Sequence, residues 1–427
     1  MAIVGRSRAQ QHRRQYYAEK VVNLAFVLLL SLAVAHAARA QTYAVIHNFS
    51  GGGDGAAPTA GLAIDHAGNL YGTATYGGNF GGNCGSLGCG IVFRLSNRNS
   101  SWVLTPLYSF QGGNDGMTPQ MANVVIGPDG ALYSSTFYGG GPCNGDNQGC
   151  GTVFKLQPAP NACQNVLCSW TETILNRFNG TDGLGPVGSV VFDQQGNLDG
   201  VTTTGGFRNG GTVFQLNGGT ELILFHPYGY PGSGVTMDHA GNLYGSTFIG
   251  NQSPGTIYQL VFSGGNWVGT EIYDFSGGSD GDHPQAGVIF DQAGNLYGAT
   301  SSGGSGLGGT AFELSPSNGG WSFNLLYSFT GPRNGRFVVG PVGNLVMDAA
   351  GNLYGTTISD GAFGYGAVFK LTHTGQGWTY TSLHDFTNGS DGSYPYCNLV
   401  FDSQGNIYGT ASSGGAFGNG VAFQITP

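Results

Sequence analysis

The pentapeptide Gly-Asn-Leu-Tyr-Gly, or a close copy, begins at Gly68, Gly130, Gly196, Gly241, Gly294, Gly351 and Gly405. Copies separated by roughly 45 to 66 residues mark an array in which each repeat is one small supersecondary unit. The unit around Gly294 shows four segments. An apolar run ends in Asp (Gly287-Val288-Ile289-Phe290-Asp291), and Gly294-Asn295-Leu296-Tyr297-Gly298 follows after two residues. Gly309 to Leu314 forms the third segment, and a stretch from Trp321 to Phe329 forms the fourth before a Gly-rich loop.

These segments read as strands. They are short, rich in Val, Ile, Tyr, Phe and Thr, and bounded by Gly, Asn, Asp and Ser. In Trp321-Ser322-Phe323-Asn324-Leu325 every second residue is apolar, the pattern of a half-buried strand. In Phe-Asp-x-x-Gly-Asn the Asp can bond its own backbone and the Gly can take positive φ, so the first two segments form a tight hairpin. No stretch after residue 40 carries a helical stripe, so the chain is all-β.

Strand order then predicts closure. The first three segments occur seven times, ending with Gly420 to Ile425, whereas the earliest copy of the fourth, Tyr43 to Phe49, precedes all others. If that copy pairs with the last three strands, the chain becomes a seven-bladed β-propeller of four-stranded blades, with only short protected edges. The alternative, an open solenoid, requires capping units with a polar outer face. The five tryptophans, Trp102, Trp170, Trp267, Trp321 and Trp378, each open a fourth strand and are expected to pack blade against blade.

Residues 1–40 differ in kind. Arg6, Arg8, Arg13, Arg14 and Lys20 precede an apolar run from Val21 to Ala35, followed by Ala38-Arg39-Ala40. This reads as a secretory signal peptide cleaved after Ala40, or alternatively Ala37, because the run is too short for a membrane span. The expected domains are therefore a leader over 1–40 and a propeller over 41–427. Without the leader, eight basic residues face 22 acidic ones, a net charge of −14. An acidic surface without basic clusters argues against nucleic acid and anionic membranes. The expectation is a monomer exported to the periplasm, cell surface or medium.

Cysteine usage fits export. Cys84 with Cys89, Cys143 with Cys150, and Cys163 with Cys168 are local pairs expected to form disulfides. The zinc alternative lacks two-residue spacings and a His in register. Cys397 is left over, in a segment expected to be an inner strand and to bury the thiol.

The repeated Asp-x-x-Gly-Asn-Leu-Tyr-Gly (Asp348 to Gly355), Gly366 to Leu371, and Phe275 to Gly281 together resemble the GloVer tandem repeat of exported bacterial proteins. The resemblance covers residues 42 to 427 and implies secretion and a propeller-like array, without an activity. The hairpin from Val288 to Tyr297 is also similar to the NHL repeat, another propeller blade, which implies that the Asp-terminated apolar strand lies innermost.

Both sets of long Gly-rich loops should share one rim, where a rigid scaffold can carry function. Five fourth-strand exits read Asp-Gly, at Asp54, Asp115, Asp182, Asp280 and Asp391. Such a ring of acids could bind Ca²⁺ with carbonyls and water, or simply make turns; otherwise no cofactor is expected. The same rim is rich in aromatic residues, among them Tyr76, Tyr138, Tyr228, Tyr230, Tyr394, Phe207 and Phe248. Flat rings beside polar groups suit sugar faces. The reading is a binding module for carbohydrate or an extracellular protein. The alternative is a hydrolase or lyase acting on an extracellular polysaccharide, for which His283 and Asp280 are the acid–base candidates. Three or more polar side chains converging at the central mouth would favour that alternative. No Gly-x-Ser-x-Gly elbow, P-loop or nucleotide fingerprint stands in the required strand–helix context.

Overall fold

The computed structural model describes residues 41–426 apart from 100, 144–147, 159–169, 251–252 and 331–339. The leader expected over 1–40 and the Cys163–Cys168 pair lie outside the described residues. Two single 3-10 turns, Gly82–Cys84 and Phe207–Asn209, are the only helical elements among the described residues. All other elements are strands, and seven sheets of four or more antiparallel strands form seven blades.

We number the blades from the one that begins at Ala63–Ile64 and ends at Ser101–Ser109. Blade 2 runs from Val125–Ile126 to Trp170–Arg177, blade 3 from Leu184–Phe192 to Thr220–Phe225, and blade 4 from Thr236–Met237 to Asn266–Asp274. Blade 5 comprises Ile289–Phe290, Leu296–Thr300, Leu307–Ser317 and Gly320–Thr330. Blade 6 runs from Val346–Met347 to Gly377–Asp385. In blade 7, Val400–Phe401, Ile407–Ala411 and Val421–Thr426 are completed by Thr42–Asn48 from the other end of the chain. The ring closes as the strand order predicts.

The repeated hairpin has a definite chemistry. Asp291 Oδ1 accepts the N–H groups of Ala293 and Asn295 at 2.8 and 2.9 Å, and Oδ2 accepts Asn295 Nδ2 at 2.8 Å. Gly294 supplies the positive φ, 86°, that the turn demands. Asp65, Asp193, Asp238, Asp348 and Asp402 repeat the arrangement. A Tyr hydroxyl caps the same carboxylate in blades 1, 4, 5, 6 and 7, and Tyr133 caps Asp129 in blade 2, at 2.9–3.3 Å. Blade 3 alone puts an acid, Asp199, at the tyrosine position.

Aromatic residues join the blades. In every blade but the third, the Phe at the end of the outer strand is fully buried and packs on a third-strand Phe of the next blade: Phe49 on Phe93, Phe110 on Phe154, Phe178 on Phe214, Phe275 on Phe312, Phe329 on Phe369 and Phe386 on Phe423, with ring centroids 4.9–5.5 Å apart. Farther out, Trp102, Trp170, Trp321 and Trp378 contact the turn-capping tyrosines Tyr408, Tyr71, Tyr244 and Tyr297 of the preceding blade at 5.7–6.5 Å. Trp267, facing the blade without that tyrosine, packs instead on Phe262 of its own blade at 5.6 Å. A bulge recurs at one position of the outer pair in blades 1 to 6, for example between Ala311 and Phe312, and steepens the twist that radial packing needs.

Cys397 stands ahead of the ladder rather than inside it, because the chain on the axis side bonds neighbouring blades instead of a strand partner. Its carbonyl accepts Thr356 Oγ1 at 3.0 Å, its Sγ accepts the Thr410 N–H at 3.2 Å, and burial pushes the thiol up to about 11. Close approach at the axis is strictest at Gly188, with φ of 71°, where an added Cβ would lie 1.9 Å from Gly234 N of the next blade. Gly188→Ala is expected to destabilise by about 2 kcal/mol or more. Gly196→Ala, with a similar φ of 84° but nothing within 4 Å, should cost only about 1 kcal/mol. Denaturant melts of the two variants check this.

Candidate functional site

Fourth-strand exits and second-to-third-strand loops do share one rim. They are laced by backbone bonds such as Gly78 N–H to Gly52 O, Gly140 to Asp115 O, Gly304 to Gly278 O and Gly415 to Gly389 O, at 2.8–2.9 Å. The five Asp-Gly carboxylates fold this rim. Each stands at a different blade exit and accepts a backbone N–H from three or four residues earlier: Ser50 to Asp54, Gln111 to Asp115, Asn179 to Asp182, Ser276 to Asp280 and Thr387 to Asp391, at 2.8–2.9 Å. An outer-strand side chain adds a further contact to four of them: His47 to Asp54, Tyr108 to Asp115, Tyr273 to Asp280 and His384 to Asp391, at 3.1 Å. Burial raises Asp54, Asp280 and Asp391, but these bonds outweigh it and hold them below the ordinary carboxylate range. Asp182, more buried, is raised. Among the described residues no three His, Cys, Asp or Glu side chains are grouped to hold a metal ion.

The two loop disulfides join Cys84 to Cys89 and Cys143 to Cys150. The candidate tyrosines are dispersed. Tyr76 bridges to Ala56 in blade 1, Tyr138 pairs with Met117 beside blade 2, and Tyr394 packs edge-on to Tyr365 at 5.9 Å before blade 7. Tyr394 and His283 share a strained setting. With Ala57 and Thr118 they precede a proline at φ of 49–57°, a left-handed conformation rare for such residues. Each donates its N–H to a carbonyl of the preceding blade at 2.8–2.9 Å. His283 pairs with Asp282, Nδ1 to Oδ1 at 2.8 Å, and Ser302 Oγ also bonds that carboxylate. Asp280, its expected partner, is taken up by Ser276 and Tyr273.

At the centre, seven polar side chains converge, those of Thr59, Asn123, Ser189, Ser233, Asn344, Tyr396 and Asn398. Asn123 Oδ1 accepts Gly61 N–H at 2.6 Å and its Nδ2 donates to Ser189 Oγ at 3.1 Å. Asn344 Oδ1 accepts Ser233 Oγ and Gly287 N–H at 3.1 and 2.7 Å, Asn398 Oδ1 accepts Asn344 N–H at 2.7 Å, and Thr59 Oγ1 accepts Met121 N–H at 3.2 Å. The cavity left among them, about 20 Å³, has room for one water-sized occupant. The count meets the expectation for an enzyme, but amides and alcohols bonded to one another and to backbone supply no acid, base or activated nucleophile, and burial raises the Tyr396 phenol above its ordinary range.

Ligand-sized space occurs elsewhere. Where blade 3 leads into blade 4, the Gly-Gly-x-Asp-Gly loop is replaced by His226-Pro227-Tyr228-Gly229-Tyr230-Pro231, and Gly229–Pro231 adds a fifth strand against Leu243–Gly250. A pocket of about 610 Å³ opens there between the two blades. Phe207, 63% exposed, and Tyr228, 56% exposed, stand in its wall with Tyr230 and Ile249. His226 Nδ1 accepts the Phe207 N–H at 3.3 Å, leaving the ring proton of the neutral form on Nε2. The Arg208 guanidinium lies 5.1 Å from the Phe207 ring centre. Volume and composition fall in the range of small-ligand sites.

A sequence model of the Gloeobacter/Verrucomicrobia repeat matches residues 83–267 and again 230–427, spanning most of the propeller. The chain belongs to the Gloeobacter/Verrucomicrobia repeat family. The fold is similar to that of a proposed 6-phosphogluconolactonase from Bacteroides uniformis, at 15% identity and TM-score 0.50, over 82% of this chain and 89% of that one. A Trichoderma reesei carbohydrate-active enzyme of family AA12 aligns at 13% identity and TM-score 0.44, over 91% and 96%. Likeness at these identities is one of fold. No curated protein matches the sequence.

For a Gloeobacter/Verrucomicrobia repeat protein, the informative positions are those where the repeat fails. Tyr228, Tyr230 and Phe207 stand out in the sequence as rim aromatics, whereas Arg208, His226 and Ile249 do not. The signal was present: 226–231 is an exit without Asp-Gly, and Arg208 is one of only eight basic residues after position 40.

Proposed function

We propose that this propeller is an exported carbohydrate-binding module whose site is the pocket between blades 3 and 4. The observation that carries the reading is the loss of the structural Asp-Gly loop at that exit and its replacement by exposed aromatic residues around a ligand-sized space. Departures from a consistent local pattern concentrate at functional sites. Sugar rings present flat apolar faces edged with hydroxyls, to which Tyr228, Tyr230 and Phe207 offer area and a polar tip. The two loop disulfides suit an oxidising compartment and so support cleavage of the 1–40 leader and export. No helix among the described residues is long and apolar enough to cross a membrane. Binding is favoured over hydrolysis because no carboxylate among the described residues lines the pocket, whereas glycoside hydrolysis requires a pair.

A glycan array probed with the mature protein tests the proposal. One or more glycans should be captured, and Tyr228→Ala should weaken capture by about tenfold or more, as for an exposed aromatic anchor. Capture unchanged by both Tyr228→Ala and Phe207→Ala would move the site elsewhere. No capture at all would leave an extracellular protein as the partner.

A further inference from the structure

We infer that the pocket between blades 3 and 4 takes an acidic saccharide, its carboxylate seated on Arg208; the inference rests on the carbohydrate reading above. The first observation is one of charge. After residue 40 the chain carries 22 acidic and eight basic residues, yet among the described residues the pocket wall holds Arg208 and His226 and no acid. In so acidic a protein, a ligand-sized space with only cationic or neutral donors is a local inversion of sign.

The second observation is that Arg208 has no structural employment. Lys155 pairs with Asp129 at 2.6 Å and Arg177 Nε donates to Asn114 O at 3.1 Å. Among the described residues, no carboxylate lies within ion-pair distance of Arg208 and none of its donors reaches an acceptor; it is exposed, with its guanidinium beside the Phe207 ring. A planar guanidinium resting on an aromatic face keeps its outer edge open for a bidentate carboxylate.

The third is strain. Arg208 and Asn209 are consecutive non-glycine residues at φ of 60° and 58° in a glycine-rich loop. Asn209 answers its own strain by accepting the Gly205 N–H on Oδ1 at 2.9 Å, but Arg208 makes no such bond and glycine would serve the turn better there; strain of this kind gathers at ligand clamps. The His226 Nε2 proton supplies a second donor for the same carboxylate or a neighbouring hydroxyl, while the aromatic walls take the sugar faces.

Calorimetric titration with a panel of uronate trisaccharides (galacturonate, mannuronate and glucuronate types) and their methyl esters tests this. Esterification removes the charge and keeps the ring. At least one acid should bind about tenfold more tightly than its ester, the preference should shrink with added salt, and Arg208→Gln should reduce acid to ester affinity while melting like the parent protein. Tyr228→Ala should weaken acid and ester alike. Equal affinities for every acid and its ester, or an acid preference that survives Arg208→Gln, overturns the inference and leaves carbohydrate binding standing. Preference for a sulfated over a carboxylated glycan also overturns it. If no glycan binds, charged or neutral, the proposed function itself falls.

Discussion

Deletion of Thr42–Asn48 should remove cooperative thermal unfolding and make the protein protease-sensitive, the largest effect expected of any change to this chain. The strand supplies the outer edge of blade 7. Tyr43 stacks on His384 at 3.6 Å, packs against Phe423 at 5.6 Å and donates its hydroxyl to Asp391 O at 2.5 Å. Asn48 Oδ1 accepts the Ala416 N–H at 2.8 Å. Losing these contacts, with the packing of Ile46 against the cluster that holds Phe93 and Leu95 of blade 1, uncovers faces of blades 6, 7 and 1 together, at a cost on the order of 5 kcal/mol or more, comparable with the whole stability of a domain. Phe49→Ala, which keeps the strand and empties only the buried site against Phe93, should cost about 3–5 kcal/mol. Scanning calorimetry with limited proteolysis reads both. A deletion variant that melts in a single transition at the parent temperature would refute closure by this strand.

Asp199→Asn should stabilise the protein at pH 8 and change little at pH 4. Asp199 is fully buried where other blades carry the turn-capping tyrosine, and Gln215 Nε2 bonds both Asp199 and Asp193, at 2.9 and 3.2 Å. Burial raises its carboxyl to about 7, with Asp193 adding to the rise and Gln215 opposing it. A carboxyl raised on folding contributes full stability below its unfolded pKa, near 4, and loses it as pH climbs to about 7. Above that the loss is constant, on the order of a few kcal/mol. Asparagine removes the ionisation, so the gain in melting temperature should grow from pH 4 to pH 7 and then level off. Glu172, which burial and Asp115 push up to about 8, imposes a slope of the same sign, so the comparison must be made against the parent at each pH. A pH-independent difference would show that Asp199 keeps an ordinary pKa.

The fold was legible because each blade is specified locally and then repeated. Asp-x-x-Gly-Asn names its own turn, alternation in Trp321 to Leu325 names its own face, and the displaced segment Tyr43 to Phe49 reveals the closure. The candidate site was legible only in fragments. Nothing local distinguishes Tyr228, which faces a pocket, from Tyr76 or Tyr138, which pair across their own loops. Likewise, Asp54 and Asp280 look like ligands until their carboxylates are seen to be saturated by Ser50 and Ser276. Pairing across blades depends on where two loops from distant stretches of the chain meet, and periodicity carries no such information. His283 illustrates the limit: it lies only three positions beyond Asp280, but backbone direction turns it toward its neighbour Asp282.

The closing contacts join residues about as far apart in sequence as the chain permits, 348 positions between Tyr43 and Asp391 and 368 between Asn48 and Ala416. Blades 1 to 6 are contiguous and can be assembled as the chain is made, but the seventh has to wait for the final residues. Until then the earliest-synthesised strand is an unpaired edge, open to pairing with other chains. Slow, high-contact-order folding, with a vulnerable interval between synthesis of the first strand and arrival of the last, follows directly from that topology.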